Sequence, residues 1–234
     1  MRNRRRLGGV VRELHPYGRL PVTEVPMHGQ MVPGEGPNEP NYVRVLDLDR
    51  TVTQVTAQPV KIPFCFWPGT TRMALLGPVE ATPKDAVRAS ATPDYLVERE
   101  DRRPELVEVK WFKALVDERV QRKIAAGRAY AAERGWDYLL VRSDELNASA
   151  ELRNIRFLWQ YRRVPPTASI RMQALGALRA AGCPVPVAVL VEALASTRQD
   201  QNECQEAVWS MIAHRELAVD FSQRLTTDSL VGVA

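Results

Sequence analysis

Two apolar-rich runs near the middle of the chain set its pattern. Residues 93–99 and 105–111 carry the apolar side chains Tyr95, Leu96 and Val97, and Leu106, Val107, Val109 and Trp111, and are separated by the turn-forming Asp101-Arg102-Arg103-Pro104. They read as two strands joined by a tight turn. Side chains two apart on a strand share a face, so Glu108 and Lys110 lie together, with Val107, Val109 and Trp111 on the other side. Upstream, Glu39-Pro40 opens a short helix, because proline is tolerated in a first turn, and Tyr42, Val45 and Leu46 give it an apolar stripe. Residues 52–55, 59–66 and 73–79 are rich in Val, Thr, Ile and Phe and predict further β segments, with 82–90 as a polar connection. Downstream, 114–134 predicts a helix with Val120, Ile124, Gly127 and Ala131 on one face and Gly135 as its C-cap. Residues 136–141 predict a buried strand, and 151–163 a helix ending before Pro165-Pro166. Helix, β-meander, helix and strand in this order imply an α/β sandwich around a mixed sheet.

Beyond Pro165-Pro166 the pattern changes to three short helices, 168–182, 186–195 and 200–213, then two short strands at 217–219 and 229–231. Three helices and a β-hairpin predict a winged-helix-like module. Residues 1–37 are rich in Arg, Gly and Pro and carry little periodicity. The expected domains are therefore a basic extended arm (1–37), an α/β domain (38–165) and a winged-helix-like C-terminal domain (166–234).

The chain has 234 residues and is 45% hydrophobic, enough for a sizeable core. It contains no apolar run of membrane-spanning length, and no apolar stretch long enough for a signal peptide follows Met1-Arg2-Asn3-Arg4-Arg5-Arg6. Cys65, Cys183 and Cys204 are widely spaced, which argues against a zinc site or disulfide framework and fits the cytoplasm. His15, His28 and His214 are isolated and suggest no role. The net charge is only +4, but it is unevenly spread. Residues 1–30 hold six arginines against two acids, and 113–134 carry Lys113, Arg119, Arg122, Lys123, Arg128 and Arg134. Such clusters suit a phosphate backbone, although a solvated helix face has the same composition. Residues 166–234 hold five arginines against seven acids, so that module suits protein docking better than DNA binding. Trp111 and Trp136 lie in strand patterns and read as core residues, not base-stacking platforms.

The candidate chemistry lies on the paired strands. If they pair, Asp94 approaches Glu108 and Lys110. Two carboxylates beside an ammonium suit a divalent metal and activation of water against a phosphodiester. Cross-strand Glu and Lys also form plain surface ion pairs. The site reading gains from Leu106, Val107, Val109 and Trp111, which make the second strand apolar on much of both faces, so its Glu and Lys need partners. Glu39, at a helix start beside the sheet, is a natural third carboxylate.

Pro93-Asp94 followed by Glu108-Val109-Lys110 resembles the signature of the PD-(D/E)xK nucleases. The run Glu39-Pro40-Asn41-Tyr42-Val43-Arg44-Val45-Leu46-Asp47-Leu48-Asp49, with Gln58-Pro59-Val60-Lys61-Ile62, resembles one branch of them, the TnsA-type endonucleases of heteromeric, Tn7-like transposases. Tyr138-Leu139-Leu140-Val141 with Ser143-Asp144-Glu145-Leu146 is similar to that branch's strand-to-helix junction. The resemblance spans about 36–234. It implies a restriction-endonuclease-like core and Mg²⁺, with Mn²⁺ as a substitute, held by Glu39, Asp94 and Glu108. Lys110 would be the catalytic lysine. It further implies cleavage of double-stranded DNA at transposon 5′ ends, with a TnsB-like DDE-type transposase and a TnsC-like ATPase regulator as partners. Gly36 stands where the family carries serine, Arg50 where it carries proline, and Glu108 where some members carry glutamine. A stand-alone restriction or repair nuclease, and a non-catalytic adaptor that keeps the nuclease fold, are the alternatives.

Overall fold

The computed structural model describes residues 22–27, 30–77, 79–163, 165–196 and 198–234. These divide into two compact units, 1–147 and 148–234. Most of the basic arm expected at the N-terminus lies outside the described residues. Its last part differs from that expectation: β1 (Val22–Met27) and β2 (Gln30–Glu35) form an antiparallel hairpin. Val25, Met27 and Val32 are buried, which offsets the ordering cost of the hairpin. Gly34 permits the close fit, since a Cβ there would lie 2.8 Å from both Pro40 Cδ and the Tyr95 hydroxyl.

The first unit continues with α1 (Asn38–Leu46), β3 (Val52–Ala57), β4 (Ile62–Phe66), β5 (Met73–Leu75), β6 (Val87–Ala91), β7 (Tyr95–Arg99) and β8 (Glu105–Lys110). A short 3-10 helix (Phe112–Val116) leads into α2 (Glu118–Glu133), β9 (Asp137–Arg142) and α3 (Ser143–Ala148). The result is a mixed α/β architecture, consistent with a nuclease-like fold. Its main sheet runs β3-β7-β8-β9, antiparallel except for the parallel β8/β9 pair. The expected single meander is not formed. β4 instead pairs with β5 and β6 in a second three-stranded sheet. Gln58 causes the break: it adopts a left-handed φ of 47° and Pro59 after it has no N–H to donate, so the ladder of β3 cannot run on into β4. Residues 87–91 form a strand where a polar connection was expected, and β5 stops at Leu75. The helix expected over 114–134 starts only at Glu118, where the Asp117 side chain accepts the Arg119 N–H at 2.7 Å.

α1 and α2 cover opposite faces of the main sheet. The Tyr42 ring of α1 meets Tyr95 of β7 at a centroid distance of 6.2 Å. On the other face, Leu106 of β8 packs with Ile62, Phe64, Ala91, Ala126 and Ala131. Each large apolar side chain buried there contributes about 1.5–3 kcal/mol.

The second unit contains α4 (Ala150–Leu158), a 3-10 helix (Trp159–Arg163), α5 (Ala168–Ala181), β10 (Val185–Pro186), α6 (Val187–Leu194), α7 (Arg198–Ala213), β11 (Leu217–Val219) and β12 (Leu230–Val233). Its three strands pair in the order β10-β12-β11. Leu158 shares the core of α5, α6 and α7, and Phe157 packs edge-on to Trp209 at 5.1 Å. Asn154, 3% exposed, donates to the Phe221 and Gln223 carbonyls and accepts the Leu225 N–H at 3.0 Å. These bonds tie α4 to the unit's last loop, so the division falls at residue 147 and not at Pro165-Pro166.

Candidate active site

Asp94 lies just before β7, on backbone held from both sides. Its N–H donates to the Val107 carbonyl at 3.0 Å, and its own carbonyl accepts the Gln58 N–H at 2.8 Å. This locks the residue between the ends of β3 and β8. The carboxylate is 1% exposed and accepts the Val109 N–H at 2.7 Å. Glu108, in the interior of β8, is 6% exposed. The Lys110 ammonium lies 2.5 Å from Glu108 Oε1 and 3.3 Å from Asp94 Oδ2, and donates to the Val109 carbonyl at 3.2 Å. The structure therefore brings Asp94, Glu108 and Lys110 into one cluster. The two carboxylates are desolvated, which strengthens every charge interaction they make.

Glu39, at the start of α1, is held differently. Its Oε2 accepts the Glu35 N–H at 2.8 Å. The Glu35 carboxylate accepts Gln58 Nε2 at 3.0 Å, and the Gln58 N–H reaches the Asp94 carbonyl. A hydrogen-bonded relay thus links Glu39 to Asp94 through Glu35 and Gln58. Among the described residues no three His, Cys, Asp or Glu side chains stand close enough together to hold a metal ion. The donor set nonetheless suits a hard divalent cation: two buried carboxylates converge on one cationic position, supplying oxygen ligands only.

Two neighbours carried no role in the sequence reading. Gln58 is one, and its left-handed backbone is the local strain that aims both its N–H and its side chain. Tyr138 of β9 is the other. Burial, then the charges of Glu108 and Asp94, raise its hydroxyl pKa, with Arg128 offsetting part of the effect. The phenol therefore stays a protonated donor beside the carboxylates. Its ring lies against α2, where a Cβ on Gly127 would come within 2.5 Å of Tyr138 Cε2. A glycine on the apolar face of α2 was the available sequence signal.

Trp111, expected in the core, is 50% exposed. β8 ends at Lys110, and the chain turns there into the 3-10 helix.

A mixed sheet flanked by helices, with a lysine between two buried carboxylates, is consistent with a nuclease-like fold. Residues 49–143 match the family model described as TnsA-like endonuclease N terminal. The match bears out the resemblance read from the motifs: this segment is similar to a TnsA-type nuclease domain, and it contains Asp94, Glu108 and Lys110 but not Glu39. No curated protein matches the chain.

Proposed function

We propose that this chain is a Mg²⁺-dependent DNA endonuclease that cuts the 5′ ends of a transposon as one subunit of a heteromeric transposase. The observation that carries the reading is the Asp94–Glu108–Lys110 cluster within a segment similar to TnsA-type nucleases. Asp94 and Glu108 would hold the metal, with Glu39 as a third carboxylate. The bound cation would polarise the scissile phosphate and lower the pKa of a water. Lys110 stabilises charge developing on the phosphoryl oxygens. Asp94 holds the Val109 N–H and so fixes the β8 backbone between the two catalytic side chains of that strand. Gln58 and Glu35 keep Glu39 and Asp94 in register.

The partners follow from the same similarity: double-stranded DNA at transposon ends, a TnsB-like DDE transposase that cuts the 3′ ends, and a TnsC-like ATPase regulator. In the second unit, the order helix, strand, helix, helix, strand, strand over 168–233 supports a winged-helix-like module. Residues 148–234 carry nine Arg or Lys against eight acids, so the net acidity of 166–234 does not extend to the compact unit. Charge alone therefore no longer favours protein docking over DNA for this module.

The test is cleavage of end-bearing DNA in Mg²⁺ with and without the co-encoded transposase. Nicks at the 5′ ends that vanish with chelator support the reading. Cutting at internal recognition sequences without any transposase would support a stand-alone nuclease instead.

A further inference from the structure

Directly after Lys110 the chain exposes a cluster of large apolar side chains. Trp111 is 50% exposed, Phe112 44% and Val116 82%. Tryptophan and phenylalanine ordinarily bury most of their surface, so two adjacent exposed rings mark an interaction site more than chance exposure. The rings are preorganised. Trp111 and Phe112 stand edge to face at 5.9 Å, with the Lys113 ammonium 4.8 Å over the Trp111 ring and the Arg142 guanidinium 5.9 Å from Phe112. The backbone beneath is fixed as well. The Trp111 carbonyl accepts the Ala114 N–H at 2.9 Å, the Asp117 N–H donates to Ala114, and Gln121 Nε2 donates to the Leu115 carbonyl at 2.9 Å.

We infer that Trp111 and Phe112 form an aromatic wedge that inserts at a base step of bound DNA. The inference rests on the nuclease reading of the Asp94–Glu108–Lys110 cluster only for its occupant, DNA. Charge points to the same occupant. Residues 111–123 carry Lys113, Arg119, Arg122 and Lys123 against Asp117 and Glu118. Of those acids, Asp117 caps its own helix and Glu118 is paired with Arg122 at 2.7 Å. Apolar rings flanked by bases fit a base step between two phosphates.

Anisotropy titrations of the full chain with a fluorescein-labelled 30-base-pair duplex, at low salt and in Ca²⁺, test this. The Trp111→Ala/Phe112→Ala double variant should bind about ten-fold more weakly, with an unchanged slope of log affinity against log salt, because no phosphate contact is lost. Lys113→Ala should instead lower that slope. Trp111→Phe should keep most of the affinity while losing the tryptophan quenching that DNA causes in the wild type. Circular dichroism of each variant separates a lost contact from a lost fold. Wild-type affinity in the double variant would overturn the inference and leave the nuclease reading intact, including when binding to the co-encoded transposase is lost instead. Aromatic-dependent DNA binding together with cleavage indifferent to Lys110→Ala would uphold the inference and overturn the nuclease reading. No duplex binding by the wild type would overturn the inference.

Discussion

Replacing Asp94 separates its chemical role from its structural one. In Asp94→Ala the Val109 N–H loses an acceptor at 2.7 Å in a position closed to water. A hydrogen bond to a charged acceptor contributes about 1.5–3 kcal/mol, and a buried donor left unmade costs about 1–3 kcal/mol. Lys110 does not become an unpaired buried charge, because it keeps Glu108 at 2.5 Å and the Val109 carbonyl. Removal also relieves the repulsion between two buried carboxylates, which offsets part of the loss. The expected outcome is a metal-free destabilisation of about 1–2 kcal/mol for Asp94→Ala. Asp94→Asn keeps an oxygen for the Val109 N–H and should stay within about 0.5 kcal/mol of wild type. Both should lose cleavage, since neither supplies the carboxylate that a hard cation needs. Urea unfolding without metal, followed by probes of each unit, gives the stability; nicking of supercoiled plasmid bearing the ends gives the activity. Equal stability of the two variants would refute the structural role assigned to the Val109 contact. Wild-type nicking by either would refute the site.

Lys110→Ala should bind Mn²⁺ at least as tightly as wild type by calorimetry, because a competing ammonium is gone, yet fail to cut; the reverse pattern would overturn the roles assigned. Glu39→Gln should slow cutting at least ten-fold in the Mg²⁺ assay while its amide oxygen still accepts the Glu35 N–H and keeps the melting temperature. Gly127→Ala should destabilise the first unit by about 1–3 kcal/mol, through overpacking against Tyr138, and a thermal scan at wild-type values would show that the ring yields freely. Burial tends to raise the Asp49 carboxyl pKa, but Thr51 and Arg99 more than offset this and hold it below its ordinary value of 3.8. Its contribution to stability is therefore fully present above about pH 4 and lost as pH falls through the depressed folded value, so Asp49→Asn should flatten the acid limb of a urea-midpoint-against-pH curve.

Local pattern revealed the parts of the fold whose partners are close in sequence. β7, β8 and α1 follow from apolar-rich runs and a proline at a helix start, and the cross-strand approach of Asp94 to Lys110 follows from one hairpin. Elements held by distant contacts were opaque. The β1/β2 hairpin contains Pro26 and Pro33 and is stabilised by burial under Tyr95, 62 positions from its carbonyl partner Pro33. β6 has an exposed, polar face and pairs only because β4 leaves the main sheet at Gln58. α4 reads like a continuation of the first domain, and contacts distant in sequence assign it to the second: Asn154 bonds backbone 67 to 71 residues away, and Phe157 and Leu158 pack with core residues of that unit. Trp111 continues the alternation of β8 by one residue, so pattern alone could not show that the strand had already ended.

The charge at the site explains why the fold tolerates burying it. Asp94 and Glu108 place two buried carboxylates beside the Lys110 ammonium. Two like charges taken out of water destabilise the fold unless other groups hold them. Here the Val109 N–H and Lys110 contribute to holding them. For Asp94, Glu108 and Lys110 taken together, a divalent ion would bring the sum to one net positive charge, opposite in sign to a phosphodiester. Adding Glu39 to the ligand set would reduce the total to neutral. The fold keeps that carboxylate on the Glu35 N–H, at the far end of the relay from Asp94. On the nuclease reading, the strength of phosphate binding would depend on where Glu39 stands, and Gln58 is the residue whose two hydrogen bonds connect that position to Asp94.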